Sequence, residues 1–292
     1  MPELPEVETM RRGILPIVGH RVLAAECPPC DRRPILMEPS IRTINRKLVG
    51  QRINGINRLG KRVLIEFENG STIVIEPRMT GLVLLADPPT VDHLRFRLRL
   101  QGDACEEMLF WDRRGLGTLR LLTPRELEQR VGAKLGKDAL VIEAEELREK
   151  LARSRRAIKV ALLDQTAVAG IGNLYAAEIL FVAGIDPRRR CDQLSKPQFE
   201  RIVAATRAVL YEAIDHEGST LSDGTYRNAL NESGGYQNYH RVYDRADQRC
   251  IRCGIGTIRR IVQAQRSTFF CPCCQKKRGL HPQVAEIEVS PN

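Results

Sequence analysis

The spacing of hydrophobic residues changes twice along the chain, and each change marks a different kind of element. Behind Pro5, the residues Val7, Met10, Ile14 and Val18 recur at helical intervals and predict an opening helix. The period then falls to two. Lys61 to Glu68 and Ser71 to Ile75 flank Asn69-Gly70, a pair that accepts the positive φ angles of a type I′ turn, and so predict a hairpin. His93 to Leu100 alternates strictly, so its leucines and Phe96 are expected to face a core while Arg95, Arg97 and Arg99 face outward. Segments 107 to 111 and 117 to 122 read as further strands, and together these imply a sandwich or flattened barrel.

Thr123-Pro124-Arg125-Glu126 is a capping box with proline at the first helical position, and from there the period becomes helical. Helices are expected at about 124 to 132, 144 to 165, 173 to 183 and 196 to 216, the last opened by Ser195 with Gln198 three residues on. Residues 218 to 239, rich in Gly, Ser and Asn, read as a long mobile loop, and 279 to 292 as a flexible tail. The fold class is α+β: a β-sandwich with flanking helices over 1–122, a helical domain over 123–244 and a cysteine-rich segment over 245–278.

Charge sharpens this division. The chain carries a net +10, and nine basic residues against Asp247 alone put +8 of it between Arg245 and Gly279. Such a cluster points to a polyanionic partner. No apolar run approaches a membrane span and the acidic start lacks the regions of a signal peptide, so a soluble, cytoplasmic chain without a membrane partner is expected. Within the basic segment, Cys250-x2-Cys253 and Cys271-x2-Cys274 have the spacing of a four-thiolate structural zinc ribbon, too small to hold a core without its metal. Cys273 could replace a neighbour. Cys27-Pro28-Pro29-Cys30 has no second pair and is read, with Cys105 and Cys191, as outside the metal site.

Two further motifs bear on chemistry. Once Met1 is removed, Pro2 presents a secondary amine that is far less basic than a lysine and therefore nucleophilic at neutral pH. Condensed with a carbonyl-level carbon it gives an iminium, an electron sink for eliminations, and Glu3 beside it could carry protons. Ala169-Gly170-Ile171-Gly172-Asn173 links two helices and lets backbone N–H groups approach an anion at a helix start, with Asn173 as cap and phosphate donor.

Pro2-Glu3-Leu4-Pro5-Glu6, Gly170-Ile171-Gly172-Asn173-Leu174-Tyr175-Ala176 and the four-cysteine ribbon, in that order, closely resemble the bacterial formamidopyrimidine-DNA glycosylases over nearly all of residues 1 to 278. The resemblance implies a helix-two-turn-helix domain between the sandwich and the zinc finger, a monomer, double-stranded DNA containing oxidised bases as partner, and a place at the nucleoid. It implies that Pro2 attacks C1′ of a damaged deoxynucleotide, with Glu3 as general acid/base and Lys61 as proton donor and phosphate contact. Asn173 and Arg266 match phosphate-clamping positions, and Lys159 also matches. His93 resembles a DNA-backbone contact, and Glu6 an acidic position near the pocket.

An enzyme that extrudes its target base needs something to fill the gap. Met79 matches the inserting methionine, and Arg114 and Leu116 are carried over as the probe of the estranged base and a second wedge. The usual Pro-Arg-Arg-Phe-Gly loop is altered here to Arg113-Arg114-Gly115-Leu116-Gly117, and leucine wedges without stacking as an aromatic does. Residues 218–239 are expected to cap the extruded base. The endonuclease VIII type, specific for oxidised pyrimidines, shares the terminus and scaffold, but Leu4-Pro5-Glu6-Val7-Glu8 favours the purine-specific branch. A non-catalytic zinc-ribbon DNA-binding protein is the alternative that the retained Pro2, Glu3 and Lys61 argue against.

Overall fold

The computed structural model describes residues 2–102, 105–221 and 224–276. Met1, Lys277, Arg278 and the tail expected over 279–292 lie outside the described residues. The chain divides into two compact units, Met1–Leu135 with Ala213–Gln237, and Gly136–Glu212 with Asn238–Asn292.

The first unit opens with α1 (Leu4–Gly13), whose Val7 and Met10 are fully buried. The helix stops short of Val18, because Pro16 disfavours helical geometry at Leu15. A 3-10 turn follows, and Val18 is 40% exposed. Then come β1 (Arg21–Glu26), β2 (Leu36–Glu38), α2 (Ile41–Leu48), β3 (Ile53–Leu59), β4 (Arg62–Phe67), β5 (Thr72–Glu76), β6 (Gly81–Leu84), β7 (Leu94–Gln101), β8 (Glu107–Asp112), β9 (Thr118–Leu122) and α3 (Pro124–Arg130). The strands form a four-stranded sheet, β1-β7-β8-β6, and a five-stranded sheet, β2-β9-β5-β4-β3. Ile65, Phe67 and Ile73 of one sheet and Phe96, Leu98 and Phe110 of the other share one core with α1. The opposite face of β4 and β5 is apolar too, since Leu64 and Val74 pack with Leu122 and Val131.

Three sequence expectations change here. The turn after β4 is not type I′: Gly70 N–H donates to Phe67 O, and of Asn69-Gly70 only Gly70 takes a positive φ, while the Asn69 side chain accepts from Ser71 N–H instead. Arg95 does not face outward. It is 3% exposed, its Nε–H donating to Asp112 O at 2.9 Å, because the bulge in the β7–β8 register beside it turns its side chain inward. Residues 218–239, expected as a long mobile loop, are packed in part: Ser219, Tyr226, Asn228, Ala229 and Tyr236 are buried, and Thr220 Oγ1 donates to Tyr226 O while accepting from Gly234 N–H. Hydrogen bonds such as these satisfy polar groups that the segment's composition made look solvent-bound, although Asn231 Oδ1 is buried without a partner among the described residues.

In the second unit the helix expected over 144 to 165 is two, α4 (Ala144–Leu151) and α5 (Ile158–Leu162). Arg153-Ser154-Arg155-Arg156 interrupts them; Ser154 Oγ accepts from Arg156 N–H, and Arg156 turns to pair with Asp164 at 2.8 Å. After α6 (Asn173–Val182) and α7 (Lys196–Asp215) comes the hairpin of β10 (Arg259–Gln263) and β11 (Arg266–Phe270). Glu178 on α6 is completely buried, and its carboxylate accepts from the backbone N–H groups of Arg241, Val242 and Tyr243, which anchors the chain leading to the hairpin. Among the described residues, no helix is long and apolar enough to cross a membrane.

Candidate functional site

In the first unit, Pro2, Glu3 and Glu6 are all buried at the start of α1. Glu6 closes the helix start by accepting from Glu3 N–H at 2.8 Å through Oε2, and its Oε1 accepts from Ser219 N–H at 2.9 Å. Gly218, at φ 76°, leaves room for this: a Cβ there would come within 2.9 Å of the Glu6 carboxyl. Tyr226 completes the enclosure, its hydroxyl donating to Glu217 O at 3.0 Å, and burial followed by the nearby Glu6 charge keeps that phenol protonated. Glu6 thus holds two segments of the first unit together, a role its place in the sequence did not reveal.

Lys61 sits not inside a strand but at the tip of the hairpin joining β3 to β4, after Gly60 at φ 58°. Two residues that sequence reasoning missed fix this tip. Glu8, one turn along α1, accepts from Arg58 Nε at 3.0 Å as well as from Arg11 and Arg12, and Arg58 Nη1 donates to Gly60 O at 2.9 Å. Burial alone would raise the Glu8 pKa, but the hydrogen bonds from Arg11, Arg12 and Arg58 outweigh it and hold the carboxyl below the ordinary range.

Met79 lies in a turn before β6, 38% exposed, next to Arg78 at φ 56°. Arg114 and Leu116 lie in the loop joining β8 to β9, Arg114 exposed and Leu116 half-buried. Asp112, with no exposed surface, binds these two loops together. Its Oδ1 accepts from the Thr80 hydroxyl and, at 3.2 Å, from Arg114 N–H, while Oδ2 accepts from Gly117 N–H at 2.7 Å. Thr80 Oγ1 accepts from the same Arg114 N–H at 3.0 Å. The only available signal in the sequence was an aspartate between an apolar strand and a glycine-rich turn. His93 precedes β7, in a 3-10 turn, rather than opening the strand; it stands edge-on to Trp111 at 5.5 Å, and burial, then the Arg95 charge, lower its pKa.

The second unit brings Lys159, Asn173 and the β10–β11 hairpin together. Lys159, fully buried on α5, donates to Asn173 Oδ1, and Asn173 Nδ2 donates to Ser267 O at 3.0 Å. Asn173 is therefore not the helix cap, which is Gly172; its amide is committed to the hairpin. Gln165, unremarked in the sequence, holds the glycine turn by accepting from Gly170 N–H and donating to Ile171 O. Arg266 is exposed at the start of β11, directly after Ala264 and Gln265, both at positive φ.

The sulfurs of Cys250, Cys253, Cys271 and Cys274 all lie within 4.8 Å of one another. Two pairs are 3.7 and 3.8 Å apart. A tetrahedron with Zn–S bonds of about 2.3 Å has edges of about 3.8 Å, so these thiolates fit one zinc ion. Burial and the neighbouring sulfurs push the Cys271 thiol up to about 12, a repulsion that a divalent cation reverses. Cys273 lies outside the four, which resolves the choice the sequence left open.

A β-sandwich with Glu3 and Glu6 buried at its first helix, and a helical unit carrying a basic four-cysteine ribbon, define a zinc-ribbon protein whose charge suits a polyanion. Family models agree: the formamidopyrimidine-DNA glycosylase N-terminal domain matches residues 1–119, its H2TH domain 135–225, and the zinc finger found in FPG and IleRS 247–277. A formamidopyrimidine-DNA glycosylase of Paracoccus denitrificans is 40% identical over 94% of this chain and all of its own. The Lactococcus lactis Fpg in complex with an abasic-site DNA superposes with a TM-score of 0.83 at 32% identity, and MutM in complex with DNA containing carbocyclic 8-oxo-G with 0.81 at 32%, each covering 94% of this chain and 100% of the other. The chain belongs to the formamidopyrimidine-DNA glycosylase family, the glycosylases of base excision repair.

Proposed function

We propose that the chain is a bifunctional glycosylase and abasic-site lyase that removes oxidised purines from double-stranded DNA. The observation that carries the reading is the buried start of α1, where Pro2 and Glu3 lie with Glu6, and where the Glu8–Arg58–Gly60 relay leads to the Lys61 tip. With Met1 removed, the Pro2 nitrogen attacks C1′, the damaged base leaves, and the resulting iminium draws electrons from the sugar so that β- and then δ-elimination release both phosphates. Glu3 moves the protons, and Lys61 donates to or contacts a phosphate near the lesion. Met79 and Leu116 fill the emptied stack, Arg114 faces the estranged base, and residues 218–239, of which Ser222 and Asp223 lie outside the described residues, cap the extruded one.

His93 and Arg266 hold the backbone, phosphate contacts that position rather than specify, and Lys159 with Asn173 supports this grip by fastening the β10–β11 hairpin through Ser267 O. The zinc of the four-cysteine ribbon is structural, since four thiolates leave no open position. In this proposal the enzyme works as a monomer on nucleoid DNA in the cytoplasm, and the chain divides functionally into catalytic, helix-two-turn-helix and zinc-finger parts at about residues 122 and 244.

The test is borohydride trapping on duplexes carrying 8-oxoguanine or thymine glycol, followed by mass mapping. A crosslink at Pro2 with preference for 8-oxoguanine is expected. A crosslink on Lys61, or none with either duplex, overturns the Pro2 mechanism, and preference for thymine glycol selects the endonuclease VIII reading.

A further inference from the structure

Cys27-Pro28-Pro29-Cys30 belongs to no part of the proposed chemistry, yet it is built into the first unit. Cys27 is exposed and Cys30 half-buried, and both thiols turn toward the same arginine. Cys27 Sγ donates to Arg95 O at 3.4 Å, Cys30 Sγ donates to Asp92 O at 2.9 Å, and Arg95 Nη1 donates to Cys30 Sγ at 2.7 Å. Arg95 is 3% exposed, and its Nη2 is buried with no hydrogen-bond partner among the described residues. Cys27, Cys30, Arg32 and Arg95 line a cavity of about 190 Å³. A buried guanidinium with only a carbonyl and a sulfur for partners lacks the negative charge that normally offsets its desolvation. The Arg95 guanidinium stands directly against the Cys30 sulfur, and a positive charge next to a partly accessible thiol is the setting in which cysteines react.

The segment also touches the loop joining β8 to β9. Arg95 Nε holds Asp112 O, and a Cβ on Gly115, itself at φ 61°, would overlap Arg33 O. The glycine that replaces the family's second arginine is thus what lets the cysteine segment rest on this loop.

We propose that Cys27, Cys30 and Arg95 form a thiol-redox site that takes low-molecular-weight disulfides and closes to a Cys27–Cys30 disulfide. The Cys30 thiolate attacks one sulfur of RSSR, forming a mixed disulfide and expelling RS⁻. Cys27 then attacks the Cys30 sulfur and expels the second RS⁻. The two thiol protons end on the released thiolates, so two cysteines are oxidised and one RSSR is reduced to two RSH. Burial, then the neighbouring Cys30 charge, raise the Cys27 pKa, which disfavours Cys27 as the thiol that starts the exchange. Closure draws Cys30 away from Arg95 and so loosens the hold of Arg95 on Asp112.

The zinc-loaded full-length protein is incubated with glutathione disulfide, alkylated and mapped by mass, while the emission of Trp111, the chain's single tryptophan and the residue before Asp112, is followed. The peptide carrying residues 27 to 30 should lose two mass units and escape alkylation, with a change in Trp111 emission. Cys27→Ser should stop at a mixed disulfide on Cys30, Cys30→Ser should give no internal disulfide, and Arg95→Lys should slow the first step roughly tenfold. Oxidation confined to the zinc cysteines, or Cys27→Ser without a Cys30 adduct, overturns the site. Disulfide formation with unchanged Trp111 emission overturns its link to the loop. None of these readouts uses DNA, so they stand or fall apart from the proposed glycosylase activity.

Discussion

Replacing Asp112 by alanine should unfasten two loops at once. The carboxylate has no exposed surface and accepts from Thr80 Oγ1, Arg114 N–H and Gly117 N–H. The three losses are unequal. Arg114 N–H keeps Thr80 Oγ1 as an acceptor at 3.0 Å, and the Thr80 hydroxyl can rotate, whereas the buried Gly117 N–H is left with nothing. An orphaned buried donor costs about 1–3 kcal/mol, and loss of bonds to a charged acceptor adds a similar amount, so about 3 kcal/mol of the first unit's stability should disappear. For a unit of this size that is a fall of roughly 6–12 °C in midpoint. Asp112→Asn keeps the shape but turns an NH₂ toward one of the donors, and should fall about midway. Urea titration followed by Trp111 emission reports this unit specifically, and amide exchange at Gly117 reports the loop. A destabilisation below about 0.5 kcal/mol for the alanine variant, or unchanged exchange at Gly117, refutes the claim that this carboxylate organises both loops.

The Glu8 cluster makes an acid-stability prediction. The folded pKa of Glu8 lies below its ordinary value of 4.5, so its contribution is complete above that pH and is lost as pH falls through the lower folded value. Glu8→Gln should therefore cost about 2 kcal/mol at pH 7, with the gap to wild type closing as the pH drops below 4.5, and a gap independent of pH would exclude the ion-pair explanation. Because the exposed arginines of the hairpin surround a metal-dependent fold, duplex affinity should drop steeply with added salt and vanish on zinc chelation; affinity indifferent to both treatments would contradict it. An amine blocked by a retained Met1 or an N-terminal tag should leave DNA binding intact and abolish strand cutting, measured by gel shift and nicking on the same duplex; undiminished nicking would rule out Pro2 as the nucleophile.

Where the information was local, the sequence was legible. Four cysteines at fixed spacing carried their geometry with them, because two tight knuckles aim sulfurs at a common point and the metal supplies the remaining energy. Apolar runs on either side of Asn69-Gly70 marked β4 and β5, and alternation marked β7, since a residue's face follows from its parity once one side is buried. Capping residues marked where α3 and α7 begin. The three residues of β2 left no such trace, whereas α2 carried one that went unread, Ile41, Ile44 and Leu48 at helical spacing.

The sequence by itself thus determined the succession of a β-rich, a helical and a cysteine-rich part, the zinc ligand set up to the doubt over Cys273, and the family resemblance that Pro2, Glu3 and the glycine turn carry. Only the tertiary structure decided which charges are buried and what they hold. Arg95 falls at an outward position by parity, yet a bulge sends it inward to Asp112. Glu6 reaches Ser219 across 213 residues, Glu8 reaches Arg58 across 50, and Lys159 joins Asn173, whose amide reaches Ser267 across 94. These partners are fixed by where the backbone brings segments within about 3 Å, a distance that no local periodicity encodes, and a buried polar group is stable only when that closure supplies its partner.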